Sequence, residues 1–599
     1  MSIIERLSKR IKSYLVTLAY FPGRFGVNAA KHVLGETSTA EVKQNAIFPI
    51  YNRSLIEKDG QLDRFYFHGF VQEYVDANFS HLRDNVTTRE RFCEFFIDVV
   101  RCLTPEMKPE KLFPLFNQDV QNIDKLLKEA VNCSDTVRYE KFIQLACDAD
   151  YLLINVLPKH SAVKFYEACV NSSKLQGTAY QHGMMLMHYG TALGNIKGNY
   201  ICASDIFMQA KASLLQAIEE LKDAKEPANN MNHSKYTDIQ SECTENQSIY
   251  TENQSKYTEN QSKYTENQSK YTENQSKYTE YKSEYTENQS TVDEQRQARE
   301  ALARLYTSMG WNLHMQSNER EAIENLQIAS KMQDELDVKL SRHGGSTMAR
   351  LGGVHTFIGD LKSAKPYIEA SLRIRKQLFG EHPATGETYN YFGLFYQRSP
   401  GSENEATKYF KMSLRTKQHF NKAPSRDKVI SINNVAMEHA KRSNYDDALK
   451  LLDDAYTMQH RLGLNHHDTS LIQNNRGKVY AMMGEYTQSE NSFKEALRLR
   501  RRMLTNEHTS TAGTLHQLGE TLLKAKKFTQ AVERFKEALA IRRRVLQQHL
   551  KNRGIAETLQ CLGQAYKESG QEEDAKEMKK LLDKELCRLD SLKCKIPVV

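Results

Sequence analysis

Proline and tryptophan are scarce in this 599-residue sequence, which has 12 prolines and one tryptophan. Because proline interrupts helices and is common in loop-rich β proteins, its scarcity favours long helices. No apolar run approaches the roughly 18 to 20 residues that a membrane-spanning helix needs. Single hydrophobic cores stop growing near roughly 250 to 300 residues, so we expect at least two folded units. Collagen, a disulfide miniprotein and a membrane bundle are excluded.

The ten cysteines form no C-x-x-C pair and no cluster with histidine at zinc-ligand spacing. We interpret them as reduced, mostly buried thiols, which predicts a cytoplasmic location, no metal site and no cofactor. The motifs H-E-x-x-H, G-x-S-x-G and G-x-G-x-x-G are also absent from the sequence. We therefore predict that the protein is not an enzyme.

Residues 226–295 form a low-complexity insert whose seven-residue unit is best preserved as S-K-Y-T-E-N-Q. A coiled coil needs two apolar positions per heptad, whereas this unit offers one aromatic residue among polar and charged ones. The insert cannot bury enough apolar surface to offset the entropy of ordering it. We predict that it is disordered or loosely helical and that it lies in a loop between two helical hairpins.

Two ladders of small residues recur with a period of 41 to 44 residues after Arg296. The first comprises Gly310, Gly352, Gly393, Ala436, Gly477, Gly519 and Gly563, and the second Ala322, Ala364, Ala406, Ala448, Ser489, Ala531 and Ala575. Small residues allow two helices to approach closely, so each period predicts a pair of antiparallel helices.

The stretches SLRIRKQLFGEHPATGETYNYFG (371–393) and ALRLRRRMLTNEHTSTAGTLHQLGETLLKAKKFTQAVERFKEALAIRRRVL (496–546) resemble the 42-residue tetratricopeptide repeat of kinesin light chains and nephrocystin. The resemblance implies an all-α superhelical solenoid with seven repeats at 296–589 and a tail at 590–599. A degenerate repeat with Gly190, Ala203 and Phe207 precedes the insert, within helical hairpins at 136–225.

The N-terminal part has a different pattern. LVTLAYFPGRFGVNAAKHVLG (15–35) and IYNRSLIEKDGQLDRFYFHGFVQEYV (50–75) resemble the winged-helix module of NB-ARC proteins of the STAND class, and 86–131 is similar to the helical arm that follows it. This implies a winged-helix-like module at 1–80 and an arm at 81–135, with the apolar run 14–21 as a core helix. We also expect Arg64 to His68 to be β-like and a helix at 69–77.

In that family a Met-His-Asp motif contacts the β-phosphate of ADP, and here only His68 of that motif is retained, as a nucleotide-binding relic. No G-x-x-x-x-G-K-[S/T] motif is present, so the phosphate cradle is absent. The alternative interpretation is that His68 is satisfied between the wing and the next helix. We expect the chain to be the back half of a switch protein, either a truncated gene product or a fragment of a longer one.

A ligand is expected in the concave groove, which the first helix of each repeat lines. Polar residues lie three and two positions before the small residue of the first ladder, and INNVA (432–436) is close to a string that contacts cargo peptides in kinesin light chains. Amides can pair with the backbone of an extended peptide, although they can also merely cap or solvate the groove. The predicted peptide-binding residues are Asn390, Asn433, Asn434, Asn474, Asn475, His516 and Gln560.

Charge is unevenly distributed. The formal net charge is +8, and residues 296–599 contribute about +14 of it, of which roughly +9 lies between 491 and 560 in Arg498, Arg500 to Arg502, Lys524, Lys526, Lys527 and Arg542 to Arg544. Solvated helix ends explain part of this excess. An extended acidic protein or peptide segment is the partner that it predicts, rather than specific nucleic acid.

Three functions follow in order of preference. The first is a non-catalytic protein-interaction scaffold that binds an acidic segment in the repeat groove. The second is the sensor or regulatory half of a STAND nucleotide switch, which would bind ADP or ATP only with an upstream domain. The third is a motor-cargo adaptor, which would need a coiled coil before the repeats. The sequence leaves the oligomeric state open.

Overall fold

The computed structural model describes residues 2–60, 63–102, 109–131, 136–148, 153, 159–197, 199–223, 291–420, 425–461, 467–503, 508–545 and 554–593. Residues 226–290 of the predicted low-complexity insert lie outside the described residues. Its last five residues, 291–295, belong to a helix. No helix within the described ranges is long and apolar enough to cross a membrane.

The N-terminal part combines short helices with a three-stranded antiparallel sheet. Strand β1 (Phe25–Gly26) and strand β2 (Ile56–Lys58) both pair with strand β3 (Arg64–Phe67), so β3 is central. The predicted β-like run is confirmed as β3, and the predicted helix at 69–77 extends over Gly69–Arg83. The other elements are helices Ser2–Glu5, Lys9–Leu18, Val27–Leu34, Thr39–Val42 and Phe48–Tyr51, with a π-helix at Lys43–Ile47.

The apolar run at 14–21 contributes to the core, as predicted, because Leu15, Leu18, Tyr20 and Phe21 are buried there. The Phe21 ring stacks on that of Phe25 with centroids 4.8 Å apart. The helices and the sheet agree with the resemblance to a winged helix without establishing it, so that assignment stays a prediction.

Four helices follow, Val86–Arg101, Pro109–Val131, Thr136–Asp148 and Lys159–Gln176, of which the first two lie in the predicted arm at 81–135. The second of them holds the N-terminal sheet through polar contacts. Arg64 of β3 donates to Asp119 Oδ2 at 3.0 Å, and Lys125 donates to the Tyr20 carbonyl oxygen at 2.8 Å. Burial lowers the pKa of Lys125 to about 8, with nearby Arg83 acting in the same direction. The N-terminal part and the arm therefore share one core.

The degenerate repeat is a helical hairpin. It comprises Ala179–Ala192, continued by a π-helix at Leu193–Lys197, and Tyr200–Asp223. A Cβ atom added to Gly190 would lie 2.7 Å from the Phe207 ring. Glycine is therefore required where these two helices cross, as the sequence pattern predicted.

Seven helical pairs follow, numbered here as repeats 1 to 7. Their first and second helices are 291–315 and Glu319–Glu335, Arg342–Ile358 and Leu361–Phe379, Pro383–Gln397 and Glu403–Phe420, Arg426–Lys441 and Tyr445–Arg461, His467–Met483 and Tyr486–Met503, Thr509–Lys524 and Phe528–Val545, and Gly554–Glu568 and Glu572–Lys593.

The first small-residue ladder marks the helix crossings within these pairs. A Cβ atom on Gly393 would lie 2.5 Å from the Phe410 ring, and one on Gly519 would lie 2.7 Å from the Phe535 ring. In repeat 7 the crossing is looser, because a Cβ atom on Gly563 would meet Met578 only at 3.5 Å. In the second ladder, the Ser489 hydroxyl donates to the Gly477 carbonyl oxygen at 2.8 Å, so serine replaces alanine without an unpaired polar group.

The turn inside each pair has one residue in the left-handed region, where glycine alone is free of Cβ strain. Glycine occupies this position in some repeats, as at Gly359 and Gly484. Other residues adopt the same conformation at Ser317, Ser443 and Lys526, with φ between 60° and 66°. The turn geometry is thus repeated while its residue type varies.

The superhelix brings the turn of repeat 1 against the start of repeat 6. His508 accepts a hydrogen bond from the Ser510 amide at Nδ1, so its Nε2 carries the proton and donates to the Met315 carbonyl oxygen at 2.7 Å. The Ser317 hydroxyl contacts the Thr509 hydroxyl beside it. These contacts join residues almost 200 positions apart in the chain.

Candidate functional site

The turn of the superhelix surrounds a cavity of about 530 Å³. Most of its wall comes from the first helices of repeats 1 to 5 and from the first helix of the degenerate repeat, which contributes Met187 and Thr191. The second helices of repeats 2 and 3 add Arg375 and Lys417. A volume of this size suits a few amino-acid side chains or a short length of extended peptide. The cavity is therefore the candidate functional site.

Cations outnumber anions on the cavity wall. The basic side chains are Arg304, Arg342, Arg350, Arg375, Lys417 and Arg426, and the acidic ones are Glu387, Asp427 and Asp468. Arg375 pairs with Glu387 at 2.8 Å, and Arg426 pairs with Asp468 at 2.5 Å. The wall therefore keeps a formal positive charge after these pairs are counted.

Burial alone would raise the pKa of Glu387, but the opposing effects of Arg375, Arg350 and Lys417 are larger and lower it. Burial would likewise lower the pKa of Arg426, and the Asp468 carboxylate reverses that effect and raises it. The Glu387 carboxylate is consequently ionised at neutral pH, and the cations on the wall still outnumber the carboxylates.

Arg350 and the only tryptophan of the chain meet in the cavity wall. The Arg350 guanidinium lies 5.7 Å from the centre of the Trp311 ring and donates to the Thr307 carbonyl oxygen at 3.1 Å. The Tyr391 ring stands edge-on to Trp311, with centroids 6.4 Å apart. A cation packed on an aromatic ring is held rigidly and retains donors for an anionic ligand.

The predicted amide residues form a ladder between consecutive first helices. Asn434 donates to Asn390 Oδ1 at 2.7 Å, and Asn475 donates to Asn433 Oδ1 at 3.1 Å. Asn474 donates to Gln517 Oε1 at 2.9 Å and also accepts from the Thr514 hydroxyl at 2.7 Å. These amides connect one repeat to the next, and Asn390 also lies on the cavity wall.

The seven predicted peptide-binding residues differ in how far their side chains are exposed. Asn433 is 2% exposed and Asn474 and Asn475 are each 4% exposed, whereas Asn434 is half-buried and Gln560 is exposed. His516 lies in repeat 6, away from the cavity wall, with its ring edge-on to Phe535. Their role in peptide binding stays a prediction.

Part of the basic cluster at 491–560 is buried, which corrects its interpretation as a solvent-facing surface. Arg500 is 5% exposed and extends into the next repeat, where it donates to the Ser510 carbonyl and to the Thr514 hydroxyl. The half-buried Arg542 makes the same two contacts with Gly554 and Thr558. These two charges hold repeats together, whereas Arg501 and Arg502 are exposed.

Polar or basic side chains recur at one equivalent position on the second helices of repeats 1 to 6. We call this set the donor ladder, and its members are Gln333, Arg375, Lys417, Gln459, Arg500 and Arg542. Lys417, for example, donates to the Asp427 carbonyl at 3.2 Å and to the Ser431 hydroxyl at 3.0 Å. For the four basic members, the acceptor pair is a hydroxyl residue and the carbonyl four positions before it. Sequence reasoning missed this ladder, although its 41- to 42-residue spacing is visible in the sequence.

The cavity also uses positions that sequence reasoning did not select. In repeats 1 to 5, its wall includes the residue six positions before the small residue of the first ladder: Arg304, Ser346, Glu387, Ile430 and Leu471. Helical spacing was the available signal, because a residue six positions away lies on nearly the same face as one two or three positions away.

His68 is exposed at the start of the helix Gly69–Arg83. Its ring stacks on that of Phe70, with centroids 5.5 Å apart, and the Phe70 side chain is 75% exposed. The imidazole therefore lies on the surface, and its assignment as a nucleotide-binding relic stays a prediction.

Comparison with known proteins places the repeats in a family. Tetratricopeptide repeat models match residues 345–384, 428–502 and 468–544, which fall in repeats 2, 4, 5 and 6. The kinesin light chain-related protein 3 of Arabidopsis thaliana is 26% identical over 220 residues. That match covers 35% of this chain and 32% of the relative, so the chain spans about a third of the length of that relative.

Two solved structures are similar at low sequence identity. A Rap protein complexed with competence and sporulation factor is 9% identical, with a TM-score of 0.46 over 78% of this chain and 99% of that one. A STAND protein with a tetratricopeptide repeat sensor from Pyrococcus horikoshii is 11% identical, with a TM-score of 0.37 over 99% of this chain and 66% of that one. The family models match four of the repeats, and the antiparallel helical pairs continue through repeats 1 to 7. Together they identify the array as a solenoid of tetratricopeptide repeats.

Proposed function

We propose that the protein is a non-catalytic interaction scaffold that binds an extended, acidic protein segment in the cavity formed by repeats 1 to 5. The observation that supports this most directly is the excess of cationic side chains on the cavity wall. In a concave site with little water, such charges attract anionic ligands more strongly than the same charges on an open surface.

The charge that matters lies in repeats 1 to 4 rather than in the C-terminal cluster. Arg350 is placed to recognise a carboxylate, because its guanidinium packs on Trp311 and donates to the neutral carbonyl group of Thr307. Arg375 and Arg426, in contrast, already share carboxylates with the protein. We therefore assign the main ligand contact to Arg350.

The amide residues have a supporting role in this proposal. Asn390 lies on the wall and accepts from Asn434, which leaves its own amide donors for a ligand carbonyl group. Asn433, Asn474 and Asn475 are paired between repeats and would act through the curvature of the groove.

Trp311 provides a direct test, because it is the only tryptophan and lies in the cavity wall. The probe is a 12-residue peptide of alternating Glu and Ala, titrated into the full chain while Trp311 fluorescence and binding heat are measured. A Lys-Ala peptide of the same length is the control. We expect the acidic peptide alone to change the fluorescence and to bind more weakly as salt is raised.

A pair of variants locates the site. Arg350→Gln removes a charge from the cavity, and Arg543→Gln removes one from an exposed position of repeat 6. We expect about tenfold weaker binding from the first, since a hydrogen bond to a charged group contributes about 1.5 to 3 kcal/mol, and little change from the second. An acidic ligand in this cavity is refuted if the two variants weaken binding of the acidic peptide equally, or if neither peptide binds the full chain.

A further inference from the structure

Repeats 6 and 7 bring together three potential metal ligands that are far apart in the sequence. His516 and Glu520 lie one turn apart on the first helix of repeat 6, and Cys561 lies on the first helix of repeat 7. One ligand atom from each lies within 4.8 Å of the others, and this is the metal-type cluster found among the described residues. His516 Nε2 lies 3.7 Å from Glu520 Oε1.

Hydrogen bonding orients the imidazole for coordination. The Thr558 hydroxyl donates to the Gly554 carbonyl at 2.7 Å, so its oxygen can only accept from the imidazole, whose Nδ1 lies 3.5 Å away. A proton on Nδ1 would satisfy this contact and would leave the Nε2 lone pair on the side of Glu520. Fixing a ligating histidine through its other ring nitrogen is how proteins prepare such ligands.

Charges of both signs surround the three groups. Glu557 acts on the Glu520 carboxylate with the same sign, whereas Lys524, Arg542 and Lys478 act on it with the opposite sign. The approach of the three ligand atoms to one another, rather than the charge around them, favours a cation at this position.

We propose that His516, Glu520 and Cys561 form a binding site for a zinc-type divalent cation that bridges repeats 6 and 7. One imidazole, one carboxylate and one thiolate are a ligand set that zinc accepts, with a fourth position open to water. In a tetrahedral site the ligand atoms lie about 3.5 Å apart, so closure needs side-chain shifts of about 1 Å. As the metal–sulfur bond forms, the thiol releases its proton to solvent, so affinity rises with pH.

The test uses the full chain, stripped of metal with a chelator and titrated with cobalt(II). We expect a near-ultraviolet thiolate-to-cobalt absorption band that saturates at one equivalent and is abolished by zinc. Cys561→Ser should remove the band, whereas Cys102→Ser, at an exposed cysteine elsewhere, should retain it.

Glu520→Gln tests the carboxylate and should weaken cobalt binding about tenfold or more, since it removes one ligand. Far-ultraviolet circular dichroism checks that each variant keeps its helical content. The site is refuted if the wild-type chain gives no thiolate band, or if the band survives in Cys561→Ser. Unchanged cobalt binding by Glu520→Gln, with the band retained, would exclude the carboxylate and overturn the three-ligand site.

Discussion

Replacing Arg500 with alanine tests whether buried cations hold successive repeats together. The side chain is 5% exposed and donates to the Ser510 carbonyl, to the Thr514 hydroxyl and, at 3.3 Å, to the Ser470 hydroxyl. Hydrogen bonds from a charged donor contribute about 1.5 to 3 kcal/mol each, whereas burying the ion costs several kcal/mol. Burial accordingly lowers the pKa of Arg500 to about 10. With the cavity that alanine leaves, we expect a net loss of about 2 to 4 kcal/mol.

Urea unfolding followed by far-ultraviolet circular dichroism gives the overall effect. A solenoid need not unfold in one step, so native-state hydrogen exchange should show where stability is lost. We expect faster amide exchange in Thr509–Lys524 and in its neighbours, with little change in repeat 2. Arg502→Ala is the matched control, because it removes the same side chain from an exposed position on the same helix.

Arg500→Met separates charge from packing, because methionine refills most of the volume without the hydrogen bonds. We expect it to lose less stability than Arg500→Ala, since both variants remove the buried charge but only alanine leaves a cavity. If Arg500→Ala stays within about 0.5 kcal/mol of Arg502→Ala, the structural role assigned to this ladder is wrong.

Three further changes test other features. Gly477→Ala places a Cβ atom 2.9 Å from the Phe493 ring and should lower the free energy of unfolding, measured by heat or urea, by about 1 to 3 kcal/mol. Gly563→Ala is its control, because its Cβ atom would have its nearest contact at 3.5 Å, and it should be neutral or stabilising. Lys526→Gly should raise stability by up to about 1 kcal/mol, because φ is 60° there, and a decrease would mean that the turn is unstrained. His382 has its pKa lowered to about 4 by burial and then by nearby arginines, so the unfolded chain binds its proton first. Stability should therefore fall as pH drops from about 6.5 towards 4, by at most about 3 kcal/mol, and His382→Asn, which retains an N-cap acceptor, should reduce that fall in acid titrations of unfolding.

The helical pairs were predictable because glycine at a helix crossing is a local requirement that repeats along the sequence. Gly393 faces Phe410 within one hairpin, and the two residues lie only 17 positions apart. Spacing alone identifies such a contact, without knowledge of how hairpins stack. For the same reason the sequence also predicted the helix crossing at Gly190 and Phe207, in the degenerate repeat that precedes the insert.

Contacts between repeats were predicted less well, because they depend on the stagger of neighbouring helices. Asn433 and Asn475 were placed on one polar line, but their positions in the repeat differ by one, and only the stacking geometry shows that they bond to each other. Arg500 was counted in the basic cluster, which was attributed partly to solvated helix ends and partly to an acidic partner, and its burial between repeats was not foreseen. The same stagger brings Cys561 to His516, a proximity that cysteine spacing within one segment does not reveal.

The contact between Ser317 in repeat 1 and His508 at the start of repeat 6 bears on how the protein folds. Repeat arrays usually behave as one-dimensional systems in which each unit senses only its nearest neighbours, so folding can start anywhere and spread. A hydrogen bond between residues 191 positions apart adds a pairing of high contact order, whose loop entropy must be overcome before the bond forms. With two or three such bonds of about 1 kcal/mol each, the closure is weak enough to open and strong enough to couple repeats 1 and 6.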